Sequence, residues 1–396
     1  MIKKRIKVQI HEVEIEKIIS NSCGLGRVNG KAVFIPYTIP GEKVTITVSE
    51  EKNSYLYGKV KDILLSSPFR TVPACKYYYD CGGCTLQHID YKMQLDIRKN
   101  LIKEAIERNG KITSGITGYP GIPEIEVAEG IPYSYRCRAQ FHKSQDSKPG
   151  FKKRSTEENI KIDFCNICNN GLNNFLLSSP LLEKERVTVF APDNNFYYEE
   201  SQKDDGRQKQ KNIIEVKIKE RIIKTDVSCF FQSNIQMLEK TIELIMQFVE
   251  GKVFFDLYGG VGVFGSFLSE RAELVVSVES DKKAALLAKE NIKTVNNNKV
   301  KFFSERVEEF VTNWKGPIPD TVVLDPPRTG ISVPVRQYLA DKKVKNIIYL
   351  SCDYATLGRD LGFFANKNYL IKKLFFLDFY PQTTHAESLA ILQYME

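Results

Sequence analysis

Several residues in this 396-residue chain have types and spacings that could do chemistry. Cys352 stands in Ser351-Cys352-Asp353, directly after the apolar run 346–350. A cysteine inside a core is usually inert packing, but such a residue would sit mid-strand. One at the end of a strand lies at the rim of a sheet, where a thiolate can act as a nucleophile. Glu387 follows His385-Ala386 in a polar stretch between the last two apolar runs. A carboxylate near a thiol suits covalent catalysis with proton removal. A solvated His/Glu pair in a hairpin would look the same. A further set, Cys75-x5-Cys81-x2-Cys84, puts three thiols within ten residues around Gly82-Gly83, as a metal or cluster site would need.

Two segments read as sites for a nucleoside ligand. Asp256-Leu257-Tyr258-Gly259-Gly260-Val261-Gly262 follows a strand-like run and opens a helix-like one. Glycines there let the backbone approach a ligand. Glu279 comes about 20 residues later at the end of the next strand, where a carboxylate can accept from ribose hydroxyls. The spacing is not G-x-G-x-x-G, which argues against a dinucleotide fingerprint. Asp325-Pro326-Pro327-Arg328-Thr329-Gly330 follows the run 321–324. Its consecutive prolines stiffen a loop at the carboxyl edge of the sheet, where open α/β sheets bind ligands.

Those residues must be held by something. From about residue 234 onward, strand-like runs at 252–258, 274–279, 300–303, 321–324, 346–350, 369–377 and 388–394 alternate with helical stretches such as 282–295. That alternation predicts a doubly wound, mostly parallel α/β sheet. Residues 1–68 carry short strands around 13–15, 31–36, 43–48 and 57–60, with a glycine-marked bend at 24–28. They predict a small OB-type barrel. Residues 93–109 have one apolar face and predict a helix ended by Gly110. Residues 122–230 are strand-rich, with a polar insertion over 199–211 read as a loop or hairpin.

Composition sets the outer bounds. Hydrophobic residues make up 42% of the chain, so two or three ordinary domains can each bury a core. Spanning a bilayer takes about 20 apolar residues, and no run is that long. The basic N-terminus has no apolar segment behind it, so the expected compartment is the cytoplasm. A formal net charge of +8 permits a phosphate-bearing partner without requiring one. Nine cysteines in such a chain point to metal or catalysis rather than disulfides.

Together these segments resemble the RNA (uracil-5-)-methyltransferases, in the branch with an N-terminal TRAM barrel and an iron–sulfur cluster that acts on uridines of 23S ribosomal RNA. The matching stretches run in the family's order: Cys75 to Cys84, Phe231-Gln232-Ser233-Asn234, Asp256 to Gly262, Asp325 to Gly330, Ser351-Cys352 with 356–360, and Pro381 to Glu387. The resemblance implies three parts: a TRAM/OB barrel over 1–68, a central cluster-bearing RNA-binding region over 69–230, and a Rossmann-like class I methyltransferase domain over 231–396. The helix 93–109 is expected to pack on that last domain. The resemblance assigns Gln232, Tyr258, Glu279 and Asp325 to S-adenosylmethionine, Cys352 to the nucleophile and Glu387 to the proton acceptor. It implies a 4Fe–4S cluster on Cys75, Cys81, Cys84 and Cys165, with Cys168 as the alternative fourth ligand. Zinc is the other group four cysteines could hold.

Two positions depart from the family. Gly259 stands where a cysteine is usual, and Arg306 where an acid is often found, so no adenosine contact is assigned at 306. Carbon 5 of uracil is too weak a nucleophile to take a sulfonium methyl unaided. Thiolate addition at carbon 6 makes it strong enough. His385 and Arg359 are candidates for helping Cys352 ionise. The expected partner is ribosomal RNA, with transfer RNA second, and the expected state is a monomer without membrane contact. The rival readings are a non-catalytic RNA-binding assembly factor and a methyltransferase for another base or for protein. Cys23, Cys137 and Cys229 have no partner pattern and read as structural.

Overall fold

The computed structural model describes residues 10–112, 120–198, 213–293 and 299–396. The insertion read over 199–211 lies outside them. The chain divides into two compact units, one of Met1–Leu101 with Gln382–His385, the other of Ile102–Pro381 with Ala386–Glu396.

In the first unit, six strands form one sheet in the order Ile10–Glu14, Lys43–Glu51, Tyr55–Leu65, Lys31–Pro36, Cys23–Val28, Lys17–Ile18. Alternating residues turn inward, as the period of two requires. Val13, Ile15, Val33, Ile35, Val44 and Ile46 make the core. The segment 24–28, read from sequence as a bend, is a strand. Its glycines serve close approach instead of turning. A Cβ at Gly24 would fall 2.1 Å from Thr38 Oγ1, and one at Gly26 2.3 Å from Val13 Cγ1. Glu42 is fully buried and accepts a two-pronged bond from Arg70, at 2.6 Å from both Nε and Nη2. Burial pushes its carboxyl up, but Arg70 and the amides of Ile39 and Ser67 outweigh that and hold it low.

The second unit centres on an eight-stranded sheet. Its order is Val300–Phe303, Leu274–Val278, Val253–Leu257, Thr321–Leu324, Asn346–Ser351, Glu387–Tyr394, Tyr369–Leu377, Ile125–Ala128. The first five are parallel, and the inner ones read as nearly continuous apolar runs because both faces are covered. The strand Glu387–Tyr394 runs antiparallel to both of its neighbours. Helices Ile235–Phe248, Val263–Leu268, Lys282–Lys293, Val307–Asn313, Val333–Asp341 and Tyr354–Ala365 connect or flank the strands. A smaller five-stranded sheet has Arg138–Lys143 and Arg186–Phe190 at its middle. The helix Tyr91–Gly110 enters this unit at Ile102, and its last turns lie against Tyr354–Ala365. Gly358 and Gly362 permit the approach, since a Cβ at Gly362 would sit 2.4 Å from the Gly110 carbonyl, and Asn109 Nδ2 donates to Ala355 O at 3.1 Å. Among the described residues, no helix is long and apolar enough to cross a membrane.

Candidate active site

The sheet brings the chemically competent residues to one edge. In-register pairing aligns Leu257 with Val278 and with Leu324, and Leu324 with Tyr349. The residues that follow these strands therefore emerge together: Tyr258, Glu279, Asp325 and Cys352. Glu387 reaches the same edge for a different reason. It is the first residue of its strand, not part of the preceding loop as the sequence suggested. Because that strand is antiparallel, its beginning lies beside the end of Asn346–Ser351, with Ser351 paired to Ser388. Cys352 and Glu387 lie one residue beyond that last pair.

Each side chain is held from behind. The loop 231–234 is fixed by Cys137 N donating to Ser233 O at 2.8 Å and by Asn234 Nδ2 donating to Phe379 O at 3.2 Å. Asn234 also caps the helix Ile235–Phe248. Gln232 Nε2 then donates to Asp325 Oδ2 at 3.4 Å, while Gln232 Oε1 is buried with no partner among the described residues. Such an orphaned acceptor costs free energy unless a ligand donor fills it. Tyr258 adopts φ +62°, a left-handed conformation that costs a non-glycine residue about 1 kcal/mol or more. The turn that holds it there leads into Gly260, whose amide donates to Glu279 Oε2 at 2.9 Å. The 325–330 loop is anchored by fully buried Asp360, which accepts from Ile331 N, Arg336 Nη1 and the Tyr349 hydroxyl at 2.8–3.0 Å. Asp353 caps the helix after Cys352 through Thr356 N at 2.8 Å.

The electrostatics are one-sided. Burial raises the Asp256 carboxyl to about 7, and the charge of Glu279 adds to the rise. Asp325 is likewise raised to about 7 by burial and by Asp256, against a lowering bond from Gln232. Glu387 is raised well above the ordinary carboxylate range by burial and by Asp325. The Cys352 thiol is pushed up to about 12 by burial, then by Glu387 and Asp325. Arg328 pulls the last two down, helped at Cys352 by a backbone hydrogen bond. Of the two residues considered as helpers for Cys352, Arg359 donates to Asp360 and to Thr329 O. A buried cluster of acids with so little compensation favours a cationic ligand.

Sequence reasoning passed over three residues. Asp256 organises the glycine turn by accepting from Gly265 N at 2.9 Å. Arg328 is the cation of the site, and its signal was its place in Asp-Pro-Pro-Arg. The buried phenol of Tyr380 is raised by burial and by the charges of Glu387 and Cys352. Gly259, where the family has cysteine, is packed tightly: a Cβ would meet Asp256 Oδ2 at 2.8 Å and Ser277 Oγ at 2.9 Å.

The other cysteines are more dispersed. Among the described residues no three His, Cys, Asp or Glu side chains are gathered as a bound metal ion would require. The first-unit thiols offer suitable donor chemistry but not an assembled site. The Gly83 amide donates to Cys81 Sγ at 3.4 Å. In the second unit, Cys165 is half-buried and its thiol is lowered to about 7, chiefly by a hydrogen bond with Cys168. Cys168 is fully buried. Burial raises Cys137 to about 12 and Cys229 to about 11, which keeps both thiols protonated.

Comparison with known proteins shows the family of the chain. The family described as tRNA (Uracil-5-)-methyltransferase matches residues 204–395. An RNA methyltransferase of Treponema denticola is 31% identical over 406 residues, covering 95% of this chain and 97% of that one. The chain belongs to the RNA (uracil-5-)-methyltransferase family. It is an enzyme of that class. A second relative, an RNA methyltransferase of Aquifex aeolicus, is 29% identical and covers 96% of this methyltransferase and 98% of its own length. A TRAM domain matches residues 4–61, which accounts for the barrel. The methyltransferase also resembles in fold the Pyrococcus abyssi tRNA (uracil-54, C5)-methyltransferase solved with S-adenosyl-L-homocysteine. The TM-score is 0.71 at 22% identity, covering 96% of this chain and 100% of that one.

Proposed function

We propose that this methyltransferase uses S-adenosylmethionine to methylate carbon 5 of a uridine in RNA through a covalent bond between Cys352 and carbon 6. The observation that carries the reading is that Cys352 and Glu387 each lie one residue beyond the last ladder pair, Ser351 and Ser388, that Glu387 and Asp325 both act on the Cys352 thiol, and that Gln232 bonds to Asp325. Gln232, Tyr258, Glu279 and Asp325 fit the cofactor: an orphaned acceptor at Gln232 Oε1, a glycine turn under Glu279, and uncompensated acids where a cation is wanted. The cofactor supplies a methyl group on a cationic sulfur. Cys352, its proton lost to solvent, adds as thiolate to carbon 6 of the uracil. Carbon 5 then bonds to the methyl as the methyl–sulfonium bond breaks and S-adenosylhomocysteine is released. Glu387 takes the proton from carbon 5, and the carbon–sulfur bond to Cys352 breaks. The target base must leave its stack to reach the edge.

The charge pattern predicts a pH dependence. Asp256 and Asp325 titrate near 7 in the free protein, and a cation favours their ionised forms. Binding therefore releases protons, and cofactor affinity should rise with pH through about 7 and level off above it. Calorimetry in buffers of different ionisation enthalpy measures this. Affinity that is flat from pH 6 to 8, without proton release, would remove the carboxylates from cofactor binding.

For the finer assignments, residues 1–68 act as the RNA-contacting barrel, 69–230 as the cluster-bearing and RNA-binding region, and 231–396 as the catalytic domain. The pairing of a TRAM domain with a Cys75/Cys81/Cys84 set favours ribosomal RNA. The family description, which names transfer RNA, makes a tRNA uridine the second reading. Mass mapping of 23S ribosomal RNA and of tRNA from a strain lacking the gene decides between them. A missing methyl on 23S RNA is expected, and its loss from tRNA alone would reassign the substrate. A 4Fe–4S cluster on Cys75, Cys81, Cys84 and Cys165 rests on the four thiols and on the low Cys165 pKa, which favours the thiolate a metal binds. Anaerobically purified protein should contain about four irons per chain. Cys165→Ser should remove them and Cys168→Ser should not. Stoichiometric zinc without iron would replace the cluster with a metal ion.

A further inference from the structure

A polar cavity of about 360 Å³ opens on the small sheet of the second unit. The strands Arg138–Lys143 and Arg186–Phe190 pair with Thr188 opposite Gln140 and Phe190 opposite Arg138. Alternation then gives the sheet two faces. Ala139, Phe141 and Val189 are buried in the core, whereas Arg138, Gln140, Arg186 and Thr188 line the cavity, joined by Lys184, Ser228 and the edges of Val187 and Val227. Three of these are cations, and Glu185 is the one acid in the lining.

The cations are not spent on carboxylates. Among the described residues Lys184 and Arg186 form no ion pair, and both are exposed. Arg138 is fixed instead of free. Its Nη2 donates to Val227 O at 3.1 Å and to Cys229 O at 3.2 Å, and its Nε is buried with no partner among the described residues. Arg136 and the thiols of Cys137 and Cys229 are the groups that act on its charge. A guanidinium desolvated in this way, without a carboxylate, is costly unless an anion completes it. The Ser228 hydroxyl is taken by Asp226 and Lys283, but guanidinium and ammonium donors with the Thr188 hydroxyl around one space match the oxygens of a phosphate. The carbonyls that hold Arg138 belong to the segment leading directly to Gln232.

We infer that this cavity is a subsite for a backbone phosphate of the RNA strand that carries the target uridine, bound by Arg138, Lys184 and Arg186. The inference rests on the proposed RNA substrate and locates one anchor of it. The test compares the full-length protein with the double variant Lys184→Gln/Arg186→Gln. Both positions are exposed and outside the catalytic machinery. A charge-matched control, Lys217→Gln/Lys367→Gln, removes two exposed cations elsewhere in the same unit.

RNA affinity is measured against salt concentration, and transfer of labelled methyl from S-adenosylmethionine to the RNA is measured in the same samples. A single-stranded contact contributes about 0.7 to the log–log salt slope. The cavity variant should therefore lose about 1.4 in slope and about tenfold in affinity near 0.1 M salt. Its cofactor affinity and its turnover at saturating RNA should stay unchanged. A cavity variant with wild-type slope, or a control showing the same loss, overturns the subsite. Wild-type protein that shows the slope difference but transfers no methyl overturns the uridine reading and leaves the subsite standing.

Discussion

Cys352→Ala is expected to reduce methyl transfer by about three decades or more, while S-adenosylmethionine binds nearly as well as to the wild type. The size follows from chemistry at carbon 5: without a bond at carbon 6, nothing raises its electron density enough to attack. The thiol is unusual in that its surroundings oppose ionisation. Burial, Glu387 and Asp325 push it up to about 12, so in the free protein it is protonated at neutral pH. A bound cation changes this balance, because it lowers the cost of negative charge for every acid around it. Alkylation of Cys352 by iodoacetamide should accordingly be slow in the free protein and faster when the cationic cofactor is present. S-adenosylhomocysteine, which lacks the charge, should give no such acceleration. Turnover of the alanine variant above about one percent of wild type would sink the covalent mechanism.

Glu387→Gln should trap the reaction after the methyl has moved. The proton on carbon 5 must leave before the electron pair can expel Cys352, so a variant unable to accept it keeps the RNA attached. The raised pKa of Glu387, caused by burial and by Asp325, makes its carboxylate a stronger base than an exposed one. The expected result is a protein–RNA adduct that survives a denaturing gel, contains the transferred methyl, and disappears in the Cys352→Ala/Glu387→Gln double variant. Normal turnover without adduct would assign proton removal to another group, with the Tyr380 phenol the nearest candidate by its electrostatic coupling to Cys352 and Glu387.

The amino-acid sequence alone determined much of this enzyme. Uninterrupted apolar runs such as 321–324 and 346–350 can only be strands covered on both faces, so the parallel sheet and its functional edge were legible. The residues that end those runs (Glu279, Asp325, Cys352) could be placed at the edge for the same reason. Gln232 was marked only by the family resemblance, and Glu387 by that resemblance together with the fitness of a carboxylate near a thiol for proton removal.

Other features were decided by tertiary structure. Strand direction is not encoded in a hydrophobic pattern, and the antiparallel course of Glu387–Tyr394 is what sets Glu387 beside Cys352. The glycines at 24 and 26 read locally as a bend, yet they are strand residues chosen for contacts with Thr38 and Val13, which are distant in sequence or on another strand. Arg328 and Asp256 acquire their roles only through what faces them. The proton affinity of Cys352 was the least legible property. A pKa depends on the summed burial and charge around a group. Here that sum comes from Glu387, Asp325 and Arg328, brought together by separate strands and loops.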